Sequence, residues 1–380
     1  MSLKNELNSF IKETLRIPLV GVAAADDIAV EHTMRISYVL QQFSKATPLA
    51  EGSDSILQPR DFLDKARSVI IIGMPAYFGK TASFEECRKD LLGKVEPSHV
   101  NTLFLQNGAE RNDAVCSFFT DRGLQCVPVF GLQFPIKLLA SQCGVGFYGK
   151  NSIIQHPEYG AWISLSAFIT DAELEPDEPI TGECGSCEQC LKACPTGALF
   201  APYQCDVNRC MDFHLGHNKK FIPYSIRDKT GSLLGEGCTI CRDVCPKNQK
   251  LAEVIGFEAP ASLLYPPLLT MLDMSDEEWE NGFAMTLMGF FLMEKRYLKR
   301  NACIALGNFR DTRAIEALAT VLKNGEDEVR GYAAWALGSI GGEKIVAILK
   351  AAALKEQNEQ VLEEIAAALS AAQSSQYKNL

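Results

Sequence analysis

Cys184-Gly185-Ser186-Cys187-Glu188-Gln189-Cys190-Leu191-Lys192-Ala193-Cys194-Pro195 has the spacing C-x2-C-x2-C-x3-C-P. Two-residue gaps wrap three thiolates around one iron cube, and the proline turns the chain so that the fourth cysteine reaches a second cube. A second run, Cys238, Cys241 and Cys245 with Pro246, keeps the last three positions of the pattern, with Gly235 where its first cysteine would stand. One ligand must therefore come from elsewhere, and Cys205 and Cys210 are the candidates. Structural zinc also uses C-x2-C pairs. The crowding of four cysteines before a proline fits cubane [4Fe-4S] clusters better. These runs predict a bacterial-ferredoxin-like domain with two clusters that exchange electrons.

Nine of the fourteen cysteines fall between residues 184 and 250, a loop-rich stretch with little apolar periodicity. Something other than a hydrophobic core must hold it. The absence of an export signal makes a disulfide framework a poor reading of so many cysteines and predicts a cytoplasmic protein. No apolar run approaches the roughly 20 residues of a membrane span. Cys87, Cys116, Cys126, Cys143 and Cys303 lie in apolar or helical contexts and read as small core residues.

Upstream, short β-branched runs alternate with helical patterns, as in an α/β domain. Strands are expected at Leu19 to Ala24, Ser68 to Met74, Cys126 to Phe130 and Trp162 to Ile169. Helices are expected over Met1 to Arg16, Phe84 to Gly93, Ala109 to Arg122 and Phe134 to Gln142. The acidic, proline-bearing Asp171 to Glu183 reads as an exposed connector. Downstream, Ala305-Leu306-Gly307, Ala336-Leu337-Gly338 and Ala368-Leu369-Ser370 recur at intervals of 31 and 32 residues, each on a helical pattern. Asp311 to Lys323 and Glu343 to Leu354 supply partner helices. These are short HEAT-like repeats whose small residues allow close helix approach. The expected division is an α/β domain over 1–175, a double-cluster domain over 176–258 and helical repeats over 262–380.

Gly144-Val145-Gly146-Phe147-Tyr148-Gly149-Lys150-Asn151 nearly matches a phosphate-binding G-x4-G-K-[ST] loop. Asn151 replaces the hydroxyl residue, and a helical pattern precedes the loop where a strand is required, which excludes a nucleotide triphosphatase. The loop reads either as a glycine-rich helix stop or as backbone laid bare for a flat or bulky cofactor.

With these features in one chain, the sequence resembles the epoxyqueuosine reductase family, cobalamin and iron-sulfur enzymes that finish the queuosine base in tRNA. The resemblance is carried by Gly144 to Gly149, Cys184 to Pro195, Asn208-Arg209-Cys210, Cys238 to Pro246 and the repeats beginning Lys299-Arg300-Asn301-Ala302. It implies that Cys210 supplies the missing ligand. The ligand sets become Cys184, Cys187, Cys190 with Cys245, and Cys194, Cys210, Cys238 with Cys241. It further implies a nitroreductase-like N-terminal domain holding cobalamin over Gly144, Gly146, Phe147, Gly149, Lys150 and Asn151, with flavin as the alternative occupant, and a ferredoxin or flavodoxin type of electron donor. One departure matters. The family's catalytic aspartate aligns with Phe130 or Leu132, neither of which can donate a proton. The family's aspartate-tyrosine-histidine segment is also replaced, by Val95-Glu96-Pro97-Ser98-His99-Val100. Tyr148, Lys150 and His99 are the weak substitutes. Two alternatives follow: a paralogue that reduces another substrate or reactivates a corrinoid protein, and a two-cluster electron-transfer protein.

The net charge of -10 gives no overall attraction to nucleic acid. A local tRNA patch is expected from Lys295, Arg296, Lys299 and Arg300, and from Lys219, Lys220, Arg227 and Lys229.

Overall fold

A computed structural model of the chain describes residues 1–26, 57–129, 134–249, 251–253 and 259–376. The chain divides into two compact units, each assembled from separate stretches of sequence. The first unit comprises Met1–Gly79, Leu103–Cys210 and Thr239–Phe257. The second comprises Lys80–Thr102, Met211–Cys238 and Glu258–Leu380. Among the described residues no helix is long and apolar enough to cross a membrane.

The first unit opens with helix α1 (Leu3–Ser9), whose first turn is capped by Ser2, which accepts the Asn5 N–H. The helix widens into a π turn at Phe10–Thr14, short of the expected Arg16, whose backbone is left-handed. Strands β1 (Leu19–Ala24) and β2 (Ser68–Pro75) are followed by α2 (Thr102–Thr120), β3 (Cys126–Val129) and α3 (Ile136–Gln142). The short strands β4 (Phe147–Tyr148) and β5 (Ile154–Gln155) pair with each other, and β6 (Ile163–Thr170) completes the main sheet. Helices α4 (Gln189–Ala193) and α5 (Ile240–Asp243) carry Cys190 and Cys241.

The sheet runs β1-β2-β6-β3 and is antiparallel throughout, pairing Val20 with Ile72, Ile71 with Ala167 and Val127 with Ile169. The apolar character of β2 does not come from strand direction. Val69 to Ile72 are fully buried because the sheet is covered on both faces. Period-2 alternation sends Val69 and Ile71 toward α3 and the glycine loop, with Phe134, Leu139, Val145 and Ile154. Ile70 and Ile72 point the other way, toward Leu7, Ile11, Val115 and Phe119 of the N-terminal helix, its π turn and α2. Pro128 is accommodated because β3 is an edge strand. The expected end of that strand, Phe130, lies outside the described residues.

The connector after β6 is tied down more than its composition suggests. Asp177 accepts from the Val22 N–H at 2.9 Å and from Lys4 Nζ at 2.6 Å, and its own N–H donates to Val22 O.

The second unit is built on the repeats: α6 (Lys295–Phe309), α7 (Ile315–Asn324), α8 (Asp327–Ile340), α9 (Glu343–Ala353) and α10 (Glu359–Gln376). The three recurring Ala-Leu motifs fall on α6, α8 and α10, which pack in sequence. A side chain at Gly307 would collide with Trp335 and Ala336, and one at Gly338 with Ala368. The motif's small residues are thus the crossing points of the stack. The helix expected from Phe84 ends at Asp90, where Leu91 turns left-handed.

Candidate cluster site and glycine loop

The order of elements explains how cysteines distant in sequence meet. In the first unit, α4 packs on α5, bringing the first run beside the second. Burial pushes the Cys190 thiol up, and the neighbouring Cys184 and Cys245 sulfurs add to that shift. Cys184 and Cys245, one from each run, thus both lie near Cys190. Cys187 sits between them in sequence, its N–H donating to Cys184 O. The Lys150 backbone N–H donates to Cys184 Sγ at 3.4 Å, and the Cys245 S–H donates to Gln155 Oε1 at 3.7 Å. Among the described residues no three of these side chains stand close enough to hold a single metal ion, while thiols near one another that also receive backbone N–H are the donor chemistry an iron cube draws on.

For the second set, Cys194 Sγ lies 3.7 Å from Thr196 Oγ1, and Arg209, beside Cys210, fills the space over Gly197. Cys238 belongs to the second unit, where the Asp212 carboxyl accepts the Gly237 N–H at 2.7 Å and the Cys238 N–H at 3.0 Å. Burial, reinforced by nearby Glu236, pushes that carboxyl up. Asp212 was missed in the sequence because its hydrogen bonds run to residues 25 and 26 positions away. The alternative ligand Cys205 is half-buried, as is Cys210. Of the remaining cysteines, Cys87, Cys143 and Cys303 are buried core residues and Cys116 and Cys126 pack half-buried against the sheet, as expected.

The glycine loop follows α3, anchored by Val145 and Gly146 N–H groups that donate to Ala140 O. A helix rather than a strand feeds it, so the triphosphate-binding geometry is absent, as read from sequence. The space over its glycines is taken by the chain itself. Glu178 O crowds Gly144, Ile154 and Gln155 crowd Gly146, and the Gln155 and Asn151 amides crowd Gly149. The glycines permit the loop to pack closely on itself. Phe147 is buried, with Lys247 Nζ 5.4 Å from its ring centre and Gly182 against it. Lys150 is 9% exposed and Asn151 3%. Asn151 Nδ2 and Ser152 Oγ are buried with no hydrogen-bond partner, and Ser152 has a left-handed backbone. These two orphaned groups, rather than the glycines, are the feature that fits the polar edge of a cofactor.

Phe130 and Leu132, the positions aligned with the family's aspartate, lie outside the described residues. Of the substitutes, burial pushes the Tyr148 hydroxyl up to about 12, so it keeps its proton at neutral pH. His99 belongs to the second unit, where its Nδ1 lies 3.1 Å from Glu236 O and its Nε2 3.7 Å from the Glu236 carboxylate, which also contacts His217.

The expected basic patch is only partly a surface. Arg300 is fully buried and donates to Asn218 O at 2.6 Å and His214 O at 3.2 Å. Arg227 is 1% exposed and forms a two-pronged pair with Glu364 at 2.7 and 2.8 Å. Lys219 donates to Gly216, Phe291 and Leu292 carbonyls, and burial pushes its ammonium down to about 7. Helical spacing alone could not distinguish these anchors from Lys220 and Lys229, which are exposed, or from Lys295, Arg296 and Lys299, which are half-buried.

Comparison with known proteins agrees with this geometry. Residues 183–248 match the family described as a 4Fe-4S double cluster binding domain, and residues 293–370 match HEAT repeats. The epoxyqueuosine reductase of Bacillus anthracis is 37% identical over 232 residues, 60% of this chain and 60% of that protein. The match thus spans less than two thirds of that relative's length. The epoxyqueuosine reductase of Lactococcus garvieae is 30% identical over 351 residues, 88% of this chain and 95% of that protein. A crystal structure of epoxyqueuosine reductase with a tRNA-Tyr epoxyqueuosine-modified stem loop superposes with a TM-score of 0.86 at 28% identity, covering 98% of this chain and 99% of that one. With identity at this level running over nearly the whole of both chains, the chain belongs to the epoxyqueuosine reductase family.

Proposed function

We propose that this chain is a cytoplasmic, iron-sulfur and cobalamin-dependent reductase that converts epoxyqueuosine to queuosine in tRNA. The observation that carries this reading is the double-cluster segment at 183–248 inside a chain that superposes along its whole length on an epoxyqueuosine reductase bound to a tRNA stem loop. In this reading residues 1–175 form a nitroreductase-like cofactor domain, 176–258 hold the clusters and 262–380 form the repeats. Cys184, Cys187, Cys190 and Cys245 hold one cluster. Cys194, Cys210, Cys238 and Cys241 hold the other, with Asp212 fixing the backbone of Cys238.

Bound cobalamin supplies low-valent cobalt chemistry toward the substrate, and the clusters supply its electrons from a ferredoxin or flavodoxin type of donor. The protein's part is holding and orienting. The unpartnered end of the Asn151 amide and Ser152 Oγ offer polar groups to the cofactor's edge. Lys150 joins the loop to Cys184 through its backbone N–H, so the loop and one cluster ligand keep a fixed separation. Tyr148 retains a proton at neutral pH for a step that consumes one.

Anaerobically reconstituted protein is expected to contain about eight irons and eight sulfides per chain, as two cubane clusters require. Supplied with cob(II)alamin and a low-potential reductant, it is expected to convert epoxyqueuosine in a tRNA anticodon stem loop. Full cofactor loading with no turnover would rule the substrate out. Binding to the stem loop should weaken steeply with salt, through the lysines that remain exposed.

A second reading is favoured by one sequence observation, the apolar residues aligned with the family's aspartate. A paralogue on the same scaffold would bind cobalamin and ignore tRNA, reducing another substrate or reactivating a corrinoid protein. Loss of a general acid costs about 100- to 10,000-fold in rate, so a turnover number within tenfold of an acid-bearing relative would dismiss this reading.

A further inference from the structure

Strand β5 is Ile154–Gln155, and its glutamine is only 1% exposed. Gln155 stands between two functional groups of the first unit. On one side its Oε1 accepts from Cys245 Sγ at 3.7 Å. On the other its Nε2 donates to Asn151 Oδ1 at 3.4 Å, an acceptor shared with the Ile153 N–H at 3.3 Å. Asn151 Nδ2 is left with no partner. Gly149 lets the two amides meet, since a side chain there would occupy the place of both.

This arrangement suits a thiol. A cysteine bound to iron is a thiolate with no proton to give, and an amide oxygen turned toward it would leave two buried acceptors facing each other. The two ends of an amide are told apart only by their hydrogen bonds.

We infer that Gln155 is a positioning residue for the cluster held by Cys245: in the loaded protein its amide is reversed, so that Nε2–H donates to Cys245 Sγ and Oε1 accepts the Nδ2–H of a likewise reversed Asn151. The inference rests on the cluster assignment proposed above. Reversing both amides together keeps the Gln155–Asn151 hydrogen bond with its direction inverted and gives up the long Ile153 bond. It also places a second N–H···S contact on this cluster beside that from Lys150 to Cys184. Such contacts stabilise the reduced, more negative state of a cluster and raise its potential. The same amide pair ties the glycine loop to a cluster ligand, so cofactor and cluster sites share one buried link.

The test uses the full-length protein, reconstituted anaerobically and titrated potentiometrically with detection by electron paramagnetic resonance. In Gln155→Met, one of the two one-electron midpoints is expected to fall by a tenfold change in its equilibrium constant, about 59 mV, while the other stays in place. Two unchanged midpoints, or two that move together, would overturn the inference. Should the variant fail to hold iron, the wild type decides: reduced protein carrying 15N in its glutamine side-chain amides is expected to show nitrogen coupling to a cluster spin, and its absence overturns the assignment. Failure of the underlying cluster reading is distinguishable, because the wild type itself would then lack iron, sulfide and any cluster signal.

Discussion

The short helices that carry the cysteines and the long helices of the repeats are both α-helical and have almost nothing else in common. Helices α4 and α5 bury no residue of their own. Helix α6 buries Leu298, Ala302, Ile304, Ala305, Leu306 and Phe309 among others, and α8 is similar. Isolated helices of four or five residues are far too short to persist in water. In the proposed reading, what fixes them is the bonds between thiolate and metal, which contribute folding free energy directly. The repeats get theirs from apolar area removed from water. A metal-fixed region and an oil-fixed region should therefore answer to different perturbations.

The largest expected separation comes from Cys190→Ser. It should remove about half of the iron, as loss of one of two cubes requires, while the helical circular dichroism of the repeats persists. Collapse of both signals together would show that the two regions do not stand apart. Next is Glu364→Gln, which leaves the buried Arg227 guanidinium without its countercharge and should cost about 3–5 kcal/mol in denaturant unfolding, with iron content unaffected. Leu306→Ala, at a fully buried crossing of the stack, should cost about 2–5 kcal/mol by the same measurement and again spare the iron.

A pH effect sharpens the comparison further. Arg330 makes two bonds to the Glu356 carboxylate and holds it down at about 2. A depressed carboxylate stabilises the fold fully above its unfolded value, near 4.3, and loses that contribution as pH falls toward 2. The difference in melting temperature between wild type and Glu356→Gln should therefore shrink between pH 5 and pH 2. The smallest effect is expected of Lys344→Ala, whose ion pair with Glu316 is exposed: under about 1 kcal/mol, and less still at high salt.

How much of this could be read from sequence depends on how local each cause is. Strand β1 was legible to the residue because its apolar run is short and bounded. The Ala-Leu motifs were legible because a period repeats itself, and the cysteine spacing because cluster geometry acts over a few residues. Strand direction in the sheet was not, since a strand buried on both faces reads alike either way. Nor was the fate of Arg227 and Arg300, whose partners stand 137 and 82 positions off. Gln155 is a polar letter after Ile153-Ile154 that carried no signal of its own, because its meaning needed Cys245, 90 residues away.

Arg300 and its neighbour Asn301 reach from the first repeat helix into the excursion at 211–238, taking the carbonyls of His214, Leu215, Asn218 and Leu234. A stack of helical repeats is commonly pictured as a set of interchangeable bricks. Here the first brick is mortared to a loop outside the array, so lengthening, shortening or grafting can begin only from the α10 end, and a transplant of the array that omits residues 211–238 would carry a buried arginine with nothing to hold.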